Sequence, residues 1–279
     1  MLIKLLQDQY IAQLTPIYDE LEAQQLFLFC LEELEGKRRL DLAMNPGLTT
    51  AKEAVWLKVL ADLIQQRPVQ HIFGKAYFYG YTFKVNEHTL IPRPETEELV
   101  EWILQSVSPD HPLQILDIGT GSGCIGLTLA KELPQSKVTL LDVSADALAV
   151  AKENASAMQV SVDCIQQDIL AVGELKQKYD IIVSNPPYIR QLEKVEIKPN
   201  VMDYEPHTAL FVEDQDPLIF YRKIAQLAYT HLNSEGLLFY EINQYLGKEM
   251  VELLDAIGFK NSELRRDLLG NDRMTKSYI

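Results

Sequence analysis

The sequence predicts an α/β fold with a mainly parallel sheet, preceded by a small helical N-terminal domain and a β-hairpin connector. Three observations carry this. From Gln114 onward short apolar runs alternate with helical patterns, a glycine-rich turn follows the first of those runs, and residues 1–70 keep helical spacing throughout. The expected boundaries are 1–74 for the helical domain, 75–92 for the hairpin and 93–279 for the α/β domain.

In the first domain, Thr50-Ala51-Lys52-Glu53 has the form of a capping box, and Trp56, Leu57, Leu60, Leu63 and Ile64 follow at helical spacing. A helix over about 51–66 is expected. Upstream, Ile17, Leu21, Leu28 and Leu31, with Phe27 and Phe29 beside them, predict a second amphipathic helix, begun near Pro16 and ended near Gly36. Core packing is the expected use of this leucine and aromatic stripe.

Between Tyr77 and Ile91 the period changes to two, with Tyr81, Phe83 and Val85 alternating with polar residues and with Gly80 and Asn86-Glu87 as turns. Pro92-Arg93-Pro94-Glu95-Thr96-Glu97-Glu98 then reads as an acidic, proline-led helix start, with Leu99, Trp102 and Ile103 on one face. After a loop at 106–112, strands are expected at Ile115–Ile118, Val138–Leu141, Val160–Ile165, Ile181–Val183 and Leu237–Ile242.

With 26 basic and 40 acidic residues the formal charge is −14, which opposes a nucleic-acid partner. The apolar stretches fall far short of the ~20 residues that span a bilayer, and the first residues lack the pattern of a secretion signal. Cys30, Cys124 and Cys164 are odd in number and unpaired in spacing, as in a reducing compartment. A cytoplasmic protein with no membrane contact, monomeric, is the expectation. His88, His111, His207 and His231 show no metal-ligand spacing, and no metal is expected. His71 reads as a packed side chain.

Leu116-Asp117-Ile118-Gly119-Thr120-Gly121-Ser122-Gly123 follows one expected strand and opens a helix, so a ligand can approach backbone amides there and a nucleotide-like group is implied. Asp142 ends the next strand, 23 residues after Gly119, close to the spacing at which an acid meets a ribose. Asp168 follows the third strand, within reach of an adenine amino group. Gly121-x-Gly123-x-x-Gly126 also satisfies the dinucleotide fingerprint, which leaves a nicotinamide or flavin open on the loop alone. Asp117, a charge inside the first strand, favours S-adenosylmethionine, because it can orient the loop or meet the amino group of a methionine-derived cofactor.

After the fourth strand stands Asn185-Pro186-Pro187-Tyr188. The prolines fix φ and lack N–H groups, so the Asn185 side-chain oxygen and the Pro186 carbonyl can both accept from one NH₂ group, and Tyr188 offers a flat face. Two such acceptors favour a pyramidal nitrogen whose lone pair points at a methyl donor. Methyl transfer to a planar amide or amino nitrogen is therefore expected.

These two motifs together resemble class I S-adenosylmethionine-dependent methyltransferases with a Rossmann-like domain. Pro68-Val69-Gln70-His71-Ile72-Phe73-Gly74, Phe78-Tyr79-Gly80, Leu90-Ile91-Pro92-Arg93-Pro94-Glu95-Thr96-Glu97, Tyr204-Glu205-Pro206 and Arg266-Asp267-Leu268-Leu269-Gly270-Asn271-Asp272-Arg273 resemble the HemK/PrmC family of protein-glutamine methyltransferases. The resemblance implies N5-methylation of the glutamine in the Gly-Gly-Gln loop of class 1 peptide-chain release factors. It implies cofactor contacts at Gly119, Thr120, Gly121, Ser122, Gly123, Asp142, Asp168, Ile169 and Asn185, and substrate contacts at Asn185, Pro186, Pro187 and Tyr188, with Asn185, Pro186 and Tyr188 catalytic. Ile169 departs from relatives that place an aromatic residue there. A ribosomal-protein glutamine, or an adenine N6 in DNA, are the alternative acceptors. The helical domain is expected to recognise the substrate.

Overall fold

The computed structural model describes residues 1–279 and divides into two compact units. The first comprises Met1–Gly74 together with Lys198–Tyr204, a segment far downstream in sequence. Its helices are Ile3–Leu14, Glu20–Glu35, Arg39–Met44, Glu53–Ile64, Val69–Phe73 and Pro199–Tyr204. Ile3, Leu6, Tyr10 and Leu14 form the buried stripe of the first helix, and Phe27, Cys30 and Leu31 that of the second. Tyr10, Phe27 and Trp56 meet with ring centroids 5.4–5.7 Å apart, and the Tyr10 hydroxyl donates to the Trp56 carbonyl at 2.6 Å. Burying each such side chain contributes about 1.5–3 kcal/mol, which makes this cluster the stabilising centre of the unit.

Two expectations fail here. The second helix starts at Asp19, whose side chain accepts from the Glu22 amide at 2.7 Å, and not at Pro16; its buried face is rotated away from Ile17 and Leu21, both exposed, because Ala23, Phe27 and Cys30 turn inward. The capping box at Thr50 does not form. Thr50 instead accepts from the Lys52 amide at 2.9 Å and donates to Glu35 at 2.6 Å, while Trp56 Nε1 donates to the same Glu35 at 2.9 Å, so the helix begins at Glu53. A tertiary acceptor has displaced a local cap.

The second unit comprises Lys75–Ile197 and Glu205–Ile279. It opens with an antiparallel hairpin of β1 (Lys75–Phe78) and β2 (Tyr81–Lys84). Tyr79 and Gly80 join them with φ of 50° and 77°, the positive pair that a two-residue primed turn requires. Residues 85–91 do not continue the strand; Asn86 and Thr89 close a turn instead.

A seven-stranded sheet follows, made of β3 (Gln114–Ile118), β4 (Lys137–Asp142), β5 (Val162–Gln166), β6 (Tyr179–Ser184), β9 (Leu232–Glu241), β10 (Lys260–Arg266) and β11 (Asp272–Tyr278); β7 (Ile189–Arg190) and β8 (Phe211–Val212) form a separate two-stranded pair. The order is β10-β11-β9-β6-β3-β4-β5, with β9 to β5 parallel and β10 and β11 antiparallel. The mainly parallel sheet is the one expected, but the C-terminal antiparallel hairpin is an addition. Alternate residues of the strands feed two cores. Ile115, Val138 and Leu140 pack under helices Pro94–Ser106, Cys124–Glu132 and Ala145–Met158, whereas Leu116, Ile118 and Leu141 pack under helices Ile219–His231 and Gly247–Ile257. No helix is long and apolar enough to cross a membrane.

The chain runs β3 to β4 to β5 toward one edge and then returns to place β6 on the other side of β3. A crevice opens at such a switch, outside the carboxyl ends of the strands.

Candidate active site

Sheet register decides which residues meet in that crevice. Ile118 of β3 lies opposite Ser184 of β6 on one side and Leu141 of β4 on the other. The next residue on each strand is Gly119, Asn185 and Asp142, so three motifs far apart in sequence arrive abreast. The Ser184 hydroxyl donates to the Ile118 carbonyl at 2.7 Å and holds β6 level with β3. An ideal Cβ on Gly119 would stand 4.0 Å from the Asn185 carbonyl oxygen, which measures how closely the two turns face one another.

A cavity of about 400 Å³ occupies the crevice, within the usual range for small-molecule sites. Gly119, Thr120, Gly121, Ser122, Asp142, Asp168, Ile169, Asn185, Pro186 and Pro187 all line it. Gly123 and Tyr188 do not. Gly123 has φ 84° and caps helix Cys124–Glu132, where a Cβ would meet Leu127 Cδ1 at 2.7 Å, so its contribution is to the shape of the loop. Tyr188 packs against the core, with its hydroxyl donating to Glu241 Oε1 at 3.2 Å. The sequence reading gave it a ring face for substrate, and the structure places it beneath the site.

The loop is not the open amide cradle that its glycines suggested. The N–H groups of Gly119 and Thr120 both donate to the Leu141 carbonyl, that of Gly123 to the Thr120 carbonyl, and that of Gly121 to Asp142 Oδ2 at 2.9 Å. Asp142 also accepts from the Ser144 amide at 2.9 Å through its other oxygen. Burial raises its pKa, and these backbone bonds work against that rise. One lone pair on each oxygen is left for a ligand.

Asp117 is fully buried. Its Oδ2 accepts from the Thr120 hydroxyl at 2.5 Å and from the Gly126 amide at 3.0 Å, and its Oδ1 has no partner. It thus orients the glycine loop, as the sequence implied, and burial pushes its pKa up to about 6. Gly126 makes this possible, since a Cβ there would lie 2.3 Å from Leu140 Cδ2 and 3.0 Å from Asp117 Oδ2. Ser122 Oγ, on the cavity wall, is likewise buried without a partner. An unpartnered polar atom on the cavity wall, Ser122 Oγ, fits a ligand that brings its own donor or acceptor.

Asp168 is exposed and accepts from the Leu170 amide at 2.9 Å with one oxygen. Ile169 is buried on the cavity wall, and Phe220, from helix Ile219–His231, adds an aromatic side chain to the same lining. Cys124 also lines the cavity; burial pushes its thiol up to about 12, so it stays protonated.

Several further residues of the site were not singled out in the sequence. Asn154, on helix Ala145–Met158, donates to the Ser122 carbonyl at 2.9 Å and exchanges bonds with the Lys84 backbone, tying the glycine loop to the hairpin. Arg93 lines the cavity and meets buried Glu205 at 2.6 Å, while Glu205 accepts from the Ile91 amide at 2.9 Å. Thr96 lines it too, with its Oγ1 3.5 Å from Asn185 Nδ2 and a 2.6 Å bond to Glu241. The only sequence signal for Arg93, Thr96 and Glu205 was their place in quoted family motifs.

The fold and crevice define the class. Residues 97–203 match the family model described as methyltransferase small domain. A methyltransferase from Pyrococcus furiosus superposes with a TM-score of 0.52 at 18% identity, over 72% of this chain and 89% of that one. A T. thermophilus 16S rRNA N2 methyltransferase in complex with AdoMet and guanosine gives 0.52 at 19%, over 73% of this chain and 49% of that one. Among curated proteins, a release factor glutamine methyltransferase of Flavobacterium psychrophilum is 52% identical over 99% of both chains, and one of Bacteroides thetaiotaomicron is 40% identical over 95% of this chain and 96% of its own. The chain belongs to the release factor glutamine methyltransferase family.

Proposed function

We propose that the protein methylates the side-chain amide nitrogen (N5) of the glutamine in the Gly-Gly-Gln motif of class 1 peptide-chain release factors, with S-adenosylmethionine as methyl donor. The observation that carries this is the register that sets Asn185 abreast of Gly119 and Asp142 on one cavity. S-adenosylmethionine supplies an electrophilic sulfonium methyl group. On this reading Asp142 holds the ribose hydroxyls, Asp168 the adenine amino group, and Ile169 with Phe220 the adenine faces. Gly119 to Gly123 shape the pocket, Asp117 braces that loop through Thr120 and Gly126, and Ser122 offers its unpartnered oxygen to the methionine end.

Asn185 Oδ1 and the Pro186 carbonyl accept the two N–H bonds of the substrate amide. That weakens its conjugation and turns the lone pair toward the methyl group, a stabilisation larger in the transition state than in the ground state. Pro187 keeps the turn rigid. The methylated nitrogen is acidic, so its extra proton leaves to water and no strong base is needed at the start. Tyr188 supports this arrangement from below.

The helical unit holds no residue of the cavity, and we assign it the recognition of the release factor. The charge of −14 suits a basic protein partner and opposes DNA. A monomer acting in the cytoplasm, without direct nucleic-acid contact, completes the reading. The test is mass spectrometry of a purified release factor incubated with the protein and cofactor. A gain of one methyl on the Gly-Gly-Gln peptide, absent with Asn185→Ala, is expected. A gain on a ribosomal protein alone would overturn the substrate assignment.

A further inference from the structure

A buried carboxylate behind the acceptor turn has no part in holding cofactor or substrate directly. Glu241 ends β9 and is 1% exposed. Its Oε2 accepts from the Thr96 hydroxyl at 2.6 Å, and its Oε1 accepts from the Tyr188 hydroxyl at 3.2 Å. Thr96, 2% exposed, stands in turn against Asn185 Nδ2 at 3.5 Å.

With Glu241 ionised, the polarity of this chain of groups follows from its donors and acceptors. An ionised carboxylate only accepts, and a threonine hydroxyl has one proton. Once that proton is committed to Glu241, Thr96 can only accept from its other neighbour. Asn185 must therefore present its NH₂ to Thr96, which leaves Oδ1 as the end available to the cavity. The reversed amide would set Oδ1 against the lone pairs of Thr96 and offer the substrate a donor where its own NH₂ needs an acceptor. The orientation of an amide is decided by such networks. The Asn185 Nδ2 to Thr96 Oγ1 separation, 3.5 Å, lies at the long end of hydrogen-bond distances.

The groups around Glu241 pull its titration both ways, with a net rise. Burial raises its pKa, while Thr96, Arg273 and Tyr188 lower it and Glu95 raises it. Tyr188 is held firmly as the neutral phenol, chiefly by burial, so it remains a donor.

We propose that Glu241, acting through Thr96, is the positioning residue that fixes the side-chain oxygen of Asn185 toward the acceptor nitrogen. The proposal rests on the reading of Asn185 as the group that binds the substrate NH₂. It places a specificity element for an NH₂-bearing acceptor on helix Pro94–Ser106 and strand β9, outside the Asn-Pro-Pro-Tyr motif.

The test measures kcat, KM for intact release factor and cofactor affinity in five variants, Asn185→Ala among them. Thr96→Val keeps the shape and removes the hydroxyl, so kcat should fall on the order of 10- to 100-fold, with cofactor affinity within about twofold of wild type. Thr96→Ser restores the hydroxyl and should recover most of the rate. Glu241→Gln, which leaves the polarity unfixed, should lower kcat in the same direction. Adding Thr96→Val to Asn185→Ala should cost nothing more, since both act on one contact. Wild-type kcat in Thr96→Val beside an inactive Asn185→Ala overturns the relay alone, as does equal impairment by Val and Ser or a fully additive double variant. Full turnover in Asn185→Ala would instead sink the functional reading beneath it. If valine prevents folding, Thr96→Ser and Glu241→Gln still decide: loss of rate in the first, or none in the second, overturns the relay.

Discussion

Removal of the Asp142 carboxylate tests two roles at once, and the structure separates their magnitudes. Its oxygens accept from the Gly121 and Ser144 amides, both at 2.9 Å, so it braces the glycine loop before any ligand arrives. A hydrogen bond to a charged acceptor contributes about 1.5–3 kcal/mol. Asp142→Ala loses two, offset by relief from burying a carboxylate whose pKa burial has raised. We expect the cofactor-free protein to lose about 1–3 kcal/mol in denaturant unfolding. Loss of the ribose contact adds about 1.5–3 kcal/mol to the cofactor binding free energy, or roughly 10- to 150-fold in Kd by titration calorimetry. Asp142→Asn keeps one acceptor but turns an NH₂ against the other amide, so it should be impaired in the same two measurements. Unchanged apo stability would refute the brace, and a Kd within twofold of wild type would refute the ribose role.

Asn185→Ala should lower turnover by on the order of 10²-fold or more while cofactor affinity largely survives; near-normal turnover in a methylation assay would count against the acceptor role. In Gly126→Ala the new methyl meets buried Leu140 at 2.3 Å and Asp117 at 3.0 Å, an overpacking of about 1–3 kcal/mol that outweighs the roughly 1 kcal/mol gain in helix propensity; thermal unfolding at or above the wild-type temperature would show that the close approach is not needed. Asp117 has a native pKa of about 6, above the ~3.9 of an unfolded aspartate, so its contribution is intact at low pH and is lost as pH rises from about 4 through 6. Wild type should therefore lose stability relative to Asp117→Asn over that window, and parallel stability curves would disprove the burial argument.

The parallel sheet was legible because βαβ units write themselves as apolar runs separated by helical spacing, and each expected strand lies within two residues of an observed boundary at one end or the other. The C-terminal hairpin was not legible. β10 carries Lys260, Asn261, Ser262, Glu263, Arg265 and Arg266 and is an edge strand, so its sequence lacks the apolar run. The first helix, Ile3–Leu14, was passed over although Ile3, Leu6, Tyr10 and Leu14 carry its period plainly. Site residues at strand ends were readable because the motif and the strand announce one another. Thr96, Asn154 and Glu241 were not, since each acts through a partner 70 or more residues away in the chain. Thr50 shows the reverse case, in which a local cap pattern was present and a tertiary bond to Glu35 took its hydroxyl.

The glycine loop was open to two readings from sequence, and its hydrogen bonds bear on the choice. A pyrophosphate needs free amides at the loop and at the start of the helix behind it. Here the amides of Gly119, Thr120, Gly121 and Gly123 are already spent on Leu141, Asp142 and Thr120. Three buried carboxylates, Asp117, Asp142 and Glu241, stand on three strands of the same sheet and accept from neutral N–H or O–H donors, with the Arg273 charge acting on Glu241 alone of the three. Such donors orient an acid without cancelling its charge. Because the low dielectric of the interior leaves that charge poorly screened, Asp142 on the cavity wall favours a cation nearby. A sulfonium cofactor with an ammonium group at one end meets that demand.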